Sequence, residues 1–421
     1  MAMSLGFHIV FAEIGIAMPL LMVLAEWRWR RTGDETYLRL AKRWAKGSAV
    51  LFAVGAVSGT VLSFELGLLW PRFMKFAGPI IGIPFSLEGF AFFTEAIFLG
   101  VYLYGWEKIS ARAHLASGVI VALSGAASAV FVVMVNAWMN TPTGITVVDG
   151  QITELDPIAG MLNPSTLQQV VHMLIAAYAA TALAVAGLHA AILRRKGEVV
   201  FHRRAMMIAL AVGVPAAILQ PLSGDLSARV VAKWQPIKLA ALEGHFETQA
   251  GAPLRIGGIP DANAMTTRYA IEIPRGLSLL AFHDPNAVVI GLKKFSRDYW
   301  PPLVPVHFAF QIMVGLGTIM ALVGVWTAVT HFRRRDIVAN RKLLLALAII
   351  TPFGFIATEA GWTVTEVGRQ PWVVNGLVKT ADAVTPMTGL FYPMLLFTLL
   401  YVGLTAIVVA VMRSIVSEPT A

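Results

Sequence analysis

The stretch VVHMLIAAYAATALAVAGLHAAIL at residues 170–193 decides the fold of this chain. It runs for 24 residues without Asp, Glu, Lys or Arg, and Arg194, Arg195 and Lys196 follow it directly. Roughly 20 apolar residues in a helix cross the hydrocarbon core of a bilayer, which is about 30 Å thick. The stretch therefore predicts a membrane-spanning helix with a basic end.

The rest of the chain repeats this pattern. Of its 421 residues, 57% are hydrophobic and 14% are charged, whereas soluble proteins carry about 25% charged residues. The sequence predicts an all-α integral membrane protein with about nine transmembrane helices. The predicted spans are approximately residues 7–25, 48–70, 83–103, 115–139, 170–193, 206–222, 306–329, 343–363 and 389–412.

Three connections between these spans are strongly basic, and they alternate along the chain. Short loops rich in Lys and Arg stay on the cytoplasmic side, which predicts an N-terminus outside and a C-terminus in the cytoplasm. Residues 140–169, which fall on the other side, contain no Lys or Arg. The basic residues are Arg28, Arg30, Arg31, Arg39, Lys42, Arg43 and Lys46 after the first span, Arg194, Arg195, Lys196, Arg203 and Arg204 after the fifth, and Arg333, Arg334, Arg335, Arg341 and Lys342 after the seventh.

One connection is much longer than the others and is expected to be functional, because long loops in compact proteins usually are. The predicted organisation has three parts. Residues 1–222 hold transmembrane helices one to six, residues 223–304 form an extracytoplasmic loop, and residues 305–421 hold helices seven to nine.

Composition excludes several kinds of site. The chain has no Cys, which removes disulfides, zinc thiolate sites, iron–sulfur clusters and thioether-linked haem. The net charge of +9 need not indicate nucleic-acid binding, because membrane proteins concentrate Lys and Arg in their inner loops.

Ionisable side chains within the spans need a reason, because each costs roughly 2.5–3.5 kcal/mol to insert. The predicted orientation brings four potential metal ligands, His8, His172, Met313 and Glu366, to one depth near the outer face. Such a set indicates either a cofactor site or a proton-coupled transporter without a cofactor, and the pattern alone does not choose. The ionisable residues in or next to the spans are His8, Glu13, Glu88, Glu95, His172, Glu359 and Glu366.

Short motifs along the chain resemble subunit I of cytochrome bd oxidases. The most specific is EAGWTVTEVGRQPW at residues 359–372, which is similar to that family's signature. The other matches occur in order and are FHI at 7–9, SLEGFAFFTE at 86–95, NAWM at 136–139, KLAALE at 238–243 and FAF at 308–310 with Met313.

The resemblance implies haem ligands. His172 and Met313 match the two axial ligands of a low-spin b haem, and this ligand pair suits electron transfer. His8 and Glu366 match the single protein ligands of two further haems. The expected set is two b-type haems and one haem d, or a third b haem in its place. Which of His8 and Glu366 holds the haem at the oxygen site stays open.

The resemblance also implies residues around the haems. Trp362, Arg369 and Trp372 match side chains packed against them. Arg369 is expected to pair with a haem propionate, because a guanidinium forms bidentate hydrogen bonds with carboxylates. The alternative for Arg369 is a helix-end cap.

Two carboxyls on the third predicted helix are candidates for proton delivery. Glu88 and Glu95 are seven residues apart and share one helix face. They are expected to relay protons towards the oxygen site, with His114 as a further member, or else to stabilise haem charge. Glu13 and Glu65 receive no role.

The long loop carries the expected donor site. Lys238 and Glu243 match residues implicated in quinol binding and oxidation, and a surface ion pair is the alternative. Two departures weaken quinol as the donor: the loop is a short form, and Gln311 stands where an Arg is common in the family.

The resemblance thus predicts a quinol:oxygen oxidoreductase that reduces O2 to water and generates a proton gradient in a bacterial or archaeal cytoplasmic membrane. The expected partners are a second membrane subunit and small single-helix subunits, with no nucleic acid. The alternatives are a bd-like oxidase with a donor other than quinol and the cofactor-free transporter.

Overall fold

The computed structural model describes residues 1–148, 151–197 and 199–417. The last four residues of the predicted third part, 418–421, lie outside it. The helices are α1 (Ala2–Thr32), α2 (Glu35–Leu69), α3 (Pro71–Tyr104), α4 (Ala111–Asn140), α5 (Pro157–Met161), α6 (Thr166–Lys196), α7 (Val200–Trp234), α8 (Pro236–Leu242), α9 (Gly276–Phe282), α10 (Leu303–Phe332), α11 (Arg341–Ile349), α12 (Phe353–Val367), α13 (Thr380–Ala383) and α14 (Phe391–Ser417).

Nine helical segments of the described chain are long and apolar enough to cross a membrane. They are α1, α2, α3, α4, α6, α7, α10, the α11–α12 pair and α14. The predicted number of spans is therefore confirmed for the part of the chain that the structure describes. The eighth span is broken between α11 and α12, next to Pro352, which has no backbone N–H to continue the helix.

Strands are short and lie in the connections. They pair only as antiparallel two-stranded sheets in the described residues: β1 with β2, β3 with β8, β4 with β7, β5 with β6 and β9 with β10. Their bounds are β1 (Ile145–Val148), β2 (Gln151–Leu155), β3 (Gln249–Ala250), β4 (Leu254–Ile256), β5 (Ile259–Asp261), β6 (Thr266–Arg268), β7 (Ile271–Ile273), β8 (Val288–Val289), β9 (Trp372–Val374) and β10 (Val378–Lys379).

Several helices extend well beyond their predicted spans. Helix α2 begins at Glu35 rather than at residue 48, so most of the first basic cluster lies on α1 and α2 and only a short turn joins them. Gly33 has φ 68°, and the Asp34 carboxylate accepts the Thr36 backbone N–H at 3.0 Å. Hydropathy marks where side chains enter the hydrocarbon, but a helix continues until its backbone is capped.

The predicted boundary at residue 223 falls inside a helix. Helix α7 runs to Trp234, and the long connection to α10 therefore begins at residue 235. This connection, residues 235–302, contains α8, α9, β3–β8 and two 3₁₀ turns, Leu292–Lys294 and Arg297–Tyr299. Below we call it the donor loop, after the donor site that the resemblance predicts there.

The three basic connections lie at one end of the bundle. Arg204 at the start of α7 forms an ion pair with Asp34, with 2.6 Å between Nη2 and Oδ2. Arg203 lies 3.5 Å from Asp336 in the connection between α10 and α11. Because successive spans alternate in direction, the donor loop lies at the opposite end. The structure contains no membrane, so which end is cytoplasmic remains a prediction from charge.

Candidate functional site

His8 lies in the second turn of α1 and faces α2. Its Nδ1 is 2.9 Å from Ser58 Oγ, and the Ser58 hydroxyl lies 2.9 Å from the Val54 carbonyl to which it donates. A hydroxyl has one proton to donate, so His8 Nδ1–H is the donor to Ser58. This leaves the lone pair of Nε2 available for a ligand bond. A Cβ at Gly59 would lie 3.1 Å from His8 Cε1, so only glycine leaves the ring this close to α2.

His172 repeats this arrangement between α6 and α7. Its Nδ1 lies 2.9 Å from Ser223 Oγ, and the Ser223 hydroxyl donates to the Gln220 carbonyl at 2.8 Å. The His172 Nδ1–H therefore donates to Ser223, and Nε2 carries the lone pair. The Gln220 amide nitrogen lies 3.2 Å from Nε2 and must move when another group binds there. A hydrogen bond at the second ring nitrogen is what fixes the ring of a metal-binding histidine.

Met313 lies on α10 against α12. Its Sδ would be 3.1 Å from a Cβ placed on Gly361, so the thioether reaches the α12 backbone because residue 361 has no side chain. Met313 also packs on a buried apolar cluster shared by the donor loop, α10 and α12, which includes Leu242, Val306 and Val364. The thioether thus lies close to the donor loop.

Glu366 is the penultimate residue of α12, and both carboxylate oxygens have donors. Asn136 of α4 donates from Nδ2 to Oε1 at 2.6 Å, and Arg369 donates from Nη2 to Oε2. The side chain is about one third exposed, while that of Arg369 is almost fully buried. Glu366 is therefore an oriented carboxylate at the end of the bundle that carries the donor loop.

These side chains fit the implied haems. Arg369 is 5% exposed, and its Nε and Nη1 have no acceptor within the described residues, so two buried N–H groups are free for a propionate. Such unpaired donors are costly without a partner. Trp372 stacks on Tyr299 of the donor loop with 5.6 Å between ring centroids. Trp362 is half-buried on α12.

Glu88 and Glu95 both face α4 from α3. Ser128 donates to Glu88 Oε1 at 3.2 Å, and a Cβ on Gly125 would lie 3.2 Å from both Glu95 oxygens. Glu95 is 6% exposed and borders a narrow pocket that α1, α2 and α4 also line. The α3–α4 contact thus holds two carboxyls along one line through the bundle.

His114 lies at the basic end of α4 and is buried. Its Nδ1 lies 2.9 Å from Glu26 Oε1, and its Nε2 lies 2.9 Å from the Tyr102 carbonyl oxygen. Arg30 pairs with the same Glu26 at 2.5 Å. Within the described residues, these hydrogen bonds and ion pairs do not extend to Glu95.

Glu243 follows α8 in the donor loop and is 4% exposed. Burial raises the pKa of the Glu243 carboxyl to about 8, and the Arg255 charge opposes this rise. Its Oε2 has no hydrogen-bond donor within the described residues. Next to it, burial and the Arg255 charge lower the pKa of His245 to about 4. A buried carboxyl with a free oxygen can accept a proton from a bound molecule.

Lys238 lies in α8 and is 4% exposed. Its Nζ donates to Asn140 Oδ1 at 2.8 Å and to the Thr365 carbonyl at 3.3 Å. Burial, and then the Arg369 charge, lower the pKa of Lys238 to about 7. The alternative reading of Lys238 as a member of a surface ion pair does not match the described contacts, because its side chain is buried and extends into the bundle.

Helix α10 holds the donor loop through two side chains four residues apart. His307 is fully buried, with Nδ1 2.7 Å from the Leu242 carbonyl and Nε2 3.1 Å from the Gly257 carbonyl. Gln311 accepts the Gly257 N–H and donates to the Arg255 carbonyl, both at 3.1 Å. The side chain that replaces the family's common Arg thus binds loop backbone two residues before Met313.

Sequence reasoning gave no role to Asn136, Asn140, His307 or Gln311. Asn136 lay within a quoted motif, and the spacing of His307 and Gln311 puts them on one face of α10. Asn140 and Asn136 contact each other four residues apart on α4, but the other partners of these residues lie on distant segments, so no local pattern identifies them.

Three carboxyls remain outside these arrangements. Glu65 on α2 accepts the Ser4 hydroxyl at 2.9 Å. Glu13 is 3% exposed, and neither of its oxygens has a donor within the described residues. Glu359 Oε2 lies beside α1, 3.2 Å from a Cβ placed on Gly6.

The fold and the site define a membrane protein with several spans. Two imidazoles, one thioether and one carboxylate, each a potential metal ligand, lie on separate helices at one end of its bundle. The family model described as "Cytochrome bd terminal oxidase subunit I" matches residues 1–420, and the chain belongs to this family.

Relatives support the same assignment. The chain is 40% identical over 413 residues to a "Putative cytochrome bd menaquinol oxidase subunit I" of Bacillus subtilis, covering 97% of this chain and 93% of the relative. It is 32% identical to a "Cytochrome bd ubiquinol oxidase subunit 1" of the same organism, covering 96% and 89%. A solved bd oxidase from Geobacillus thermodenitrificans superposes with a TM-score of 0.92 at 39% identity, covering 98% of this chain and 96% of that one.

Family membership decides between the classes that the sequence left open. The protein is an oxidoreductase subunit of a bd-type terminal oxidase, and the transporter alternative is wrong.

Proposed function

We propose that this chain is the haem-bearing subunit of a quinol:oxygen oxidoreductase. The observation that supports this proposal most directly is the geometry that His8 and His172 share. Each ring donates from Nδ1 to a serine on the next helix and keeps a lone pair on Nε2. That is the arrangement a haem-ligating imidazole needs. The names of the relatives, menaquinol and ubiquinol oxidases, support quinol as the donor.

The proposed haem sites follow from the ligand types. His172 and Met313 would hold a low-spin b haem, and His8 and Glu366 would each hold one further haem, two b and one d or three b in total. Bound haem would supply electron transfer and an open coordination position for oxygen. Arg369 would bind a propionate through its two unpaired N–H groups, and the Trp362 and Trp372 rings would pack nearby.

Quinol oxidation is assigned to the donor loop. Glu243 would accept a quinol proton at its free oxygen and release it at the same end of the bundle. Lys238 is the second candidate for quinol binding. The cluster of donor-loop and α10 side chains that packs on Met313 supports a donor site beside the low-spin haem position.

Protons for water formation would come from the basic end. Glu88 and Glu95 lie on α3 against α4, between the two ends of the bundle, and would pass these protons towards Glu366. If the basic end is cytoplasmic, as the loop charges predict, proton uptake and release occur on opposite sides, and the reaction generates a proton gradient.

Glu95→Gln is expected to slow oxygen reduction by about 10²-fold, the low end of the effect of losing a proton-transfer group. The haem spectrum should stay unchanged, because the amide keeps the shape of the side chain. Oxygen uptake by the purified complex measures the rate of oxygen reduction, and its absorption spectrum shows whether the haems are unchanged. Glu107→Gln, at an exposed position, is the matched control. A shifted haem potential with normal turnover would support the charge-stabilising role of Glu95 instead.

The proposal includes an assembly. A second membrane subunit is the expected partner, and small single-helix subunits are compatible with it. The proposed location of the complex is a bacterial cytoplasmic membrane. The apolar and largely exposed helix α14 offers surface for lipid or partner.

A reduced-minus-oxidised spectrum with haem extraction tests the haem assignment, and oxygen uptake with quinol tests the donor. We expect b-type bands, an oxygen-reactive haem and quinol-dependent uptake. Colourless, iron-free protein would refute the haem assignment. Activity with a reduced carrier protein and none with any quinol would favour the rival donor.

A further inference from the structure

Lys238 begins a chain of side-chain hydrogen bonds that ends at Glu366. Lys238 Nζ donates to Asn140 Oδ1 at 2.8 Å, and Asn140 Nδ2 donates to Asn136 Oδ1 at 3.0 Å. Asn136 Nδ2 then donates to Glu366 Oε1 at 2.6 Å. All three distances are those of good hydrogen bonds. The donor loop, α4 and α12 are thus joined by one polar path.

The two ends of this chain fix its direction. A carboxylate only accepts, and in its ammonium form the lysine only donates. The lysine therefore turns the Asn140 oxygen towards itself, which turns the Asn140 nitrogen towards Asn136 and the Asn136 nitrogen towards Glu366. Lys238, Asn140 and Asn136 are 4%, 0% and 8% exposed, so solvent has little access to replace a lost link.

Packing holds the lysine in this position. Its Nζ also donates to the Thr365 carbonyl in the last turn of α12. A Cβ on Gly368 would lie 3.0 Å from Lys238 Cε, so glycine at 368 leaves room for the lysine stem beneath the end of α12. The hydrogen bonds of the ammonium group are to α4 and α12, and none within the described residues is to Glu243.

We propose that Lys238 is a positioning residue that orients the Glu366 carboxylate through Asn140 and Asn136. This role rests on the proposed function of Glu366 as a haem ligand, and it goes beyond contact between Lys238 and quinol. A group that orients a ligand acts on the strength and geometry of the bond that the ligand makes. The donor loop therefore helps to build the haem site at Glu366, although it lies at the edge of the bundle.

Lys238→Met in the purified complex tests this role, because Met keeps the length of the stem and removes the donor. Carbon monoxide titration of the reduced complex and haem content per complex are the readouts. We expect carbon monoxide affinity or haem retention at the Glu366 site to fall about 10- to 100-fold, the usual cost of losing an outer partner of a ligand. The low-spin b signal should remain. Lys233→Met, at an exposed position in α7, is the matched control.

Asn140→Asp is the second variant, because Asp still accepts from Lys238 but cannot donate to Asn136. It should weaken the same site as Lys238→Met does. Wild-type haem content together with wild-type carbon monoxide affinity in both variants, with a change only in the quinol KM of Lys238→Met, would overturn the proposal. Loss of the low-spin signal along with the Glu366 site would also overturn it, since it would indicate a general structural role. Failure of the proposed function is distinguishable, because the unmodified complex would then bind no carbon monoxide.

Discussion

His172→Ala is expected to remove the low-spin b-haem signal from the reduced-minus-oxidised spectrum and to abolish electron transfer from the donor. Six-coordinate ligation needs both axial side chains, and alanine has no donor atom. In the wild-type protein, Ser223 and Gln220 of α7 hold the ring in place. Haem content should fall by one per complex, while the signals assigned to His8 and Glu366 persist.

Met313→Leu tests the same site with almost no change in volume. Leu and Met exchange in packed cores for less than about 1.5 kcal/mol, so folding should be retained while the sulfur ligand is lost. We expect the low-spin spectrum to be lost or converted to high-spin. Met320→Leu, at a buried position further along α10, is the control and should leave the spectrum intact. An unchanged low-spin band in either His172→Ala or Met313→Leu would disprove the ligand assignment.

Glu243→Gln is expected to lower quinol-dependent turnover by about 10²- to 10⁴-fold, the range for removal of a general base. The amide is isosteric but cannot take up a proton. Haem content should be unchanged, because Glu243 lies in the donor loop and, within the described residues, makes no hydrogen bond or ion pair with a candidate ligand. Oxygen uptake driven by quinol, compared with the spectrum, separates the two effects. Glu247→Gln, an exposed carboxyl four residues away that pairs with Lys293, is the matched control.

The same residue predicts a pH dependence. The pKa of Glu243 is about 8, so the carboxyl is mostly protonated below that pH and the base form increases through it. Quinol oxidation should therefore rise with pH up to about 8 and then level off. Glu243→Gln should lose this rising part of the pH profile, the activity limb. Between the ordinary carboxyl pKa of 4.5 and about 8, the folded state binds a proton at Glu243 that the unfolded state has lost. The contribution of Glu243 to the free energy of unfolding therefore decreases as pH rises through this window. Arg255→Gln should move the activity limb to higher pH, because Arg255 opposes the raised pKa. A limb that persists in Glu243→Gln would assign it to another group.

The sequence by itself determined the nine spans, the alternation of the basic connections and the identity of the oxidase family. Those features follow from partition of apolar side chains into lipid and from motifs that are local in the chain. It did not determine where helices end, because α2 and α7 continue beyond the hydrocarbon until their backbones are capped.

Only the tertiary structure decided how the candidate side chains are held. Lys238 and Asn140 are 98 residues apart, and Asn136 and Glu366 are 230 apart, so no local pattern pairs them. From the sequence, Lys238 was expected beside quinol or in a surface ion pair, whereas the fold turns its ammonium group towards α4 and α12. The direction of a long side chain depends on which acceptors the packed helices leave unpaired, and that is a property of the whole bundle.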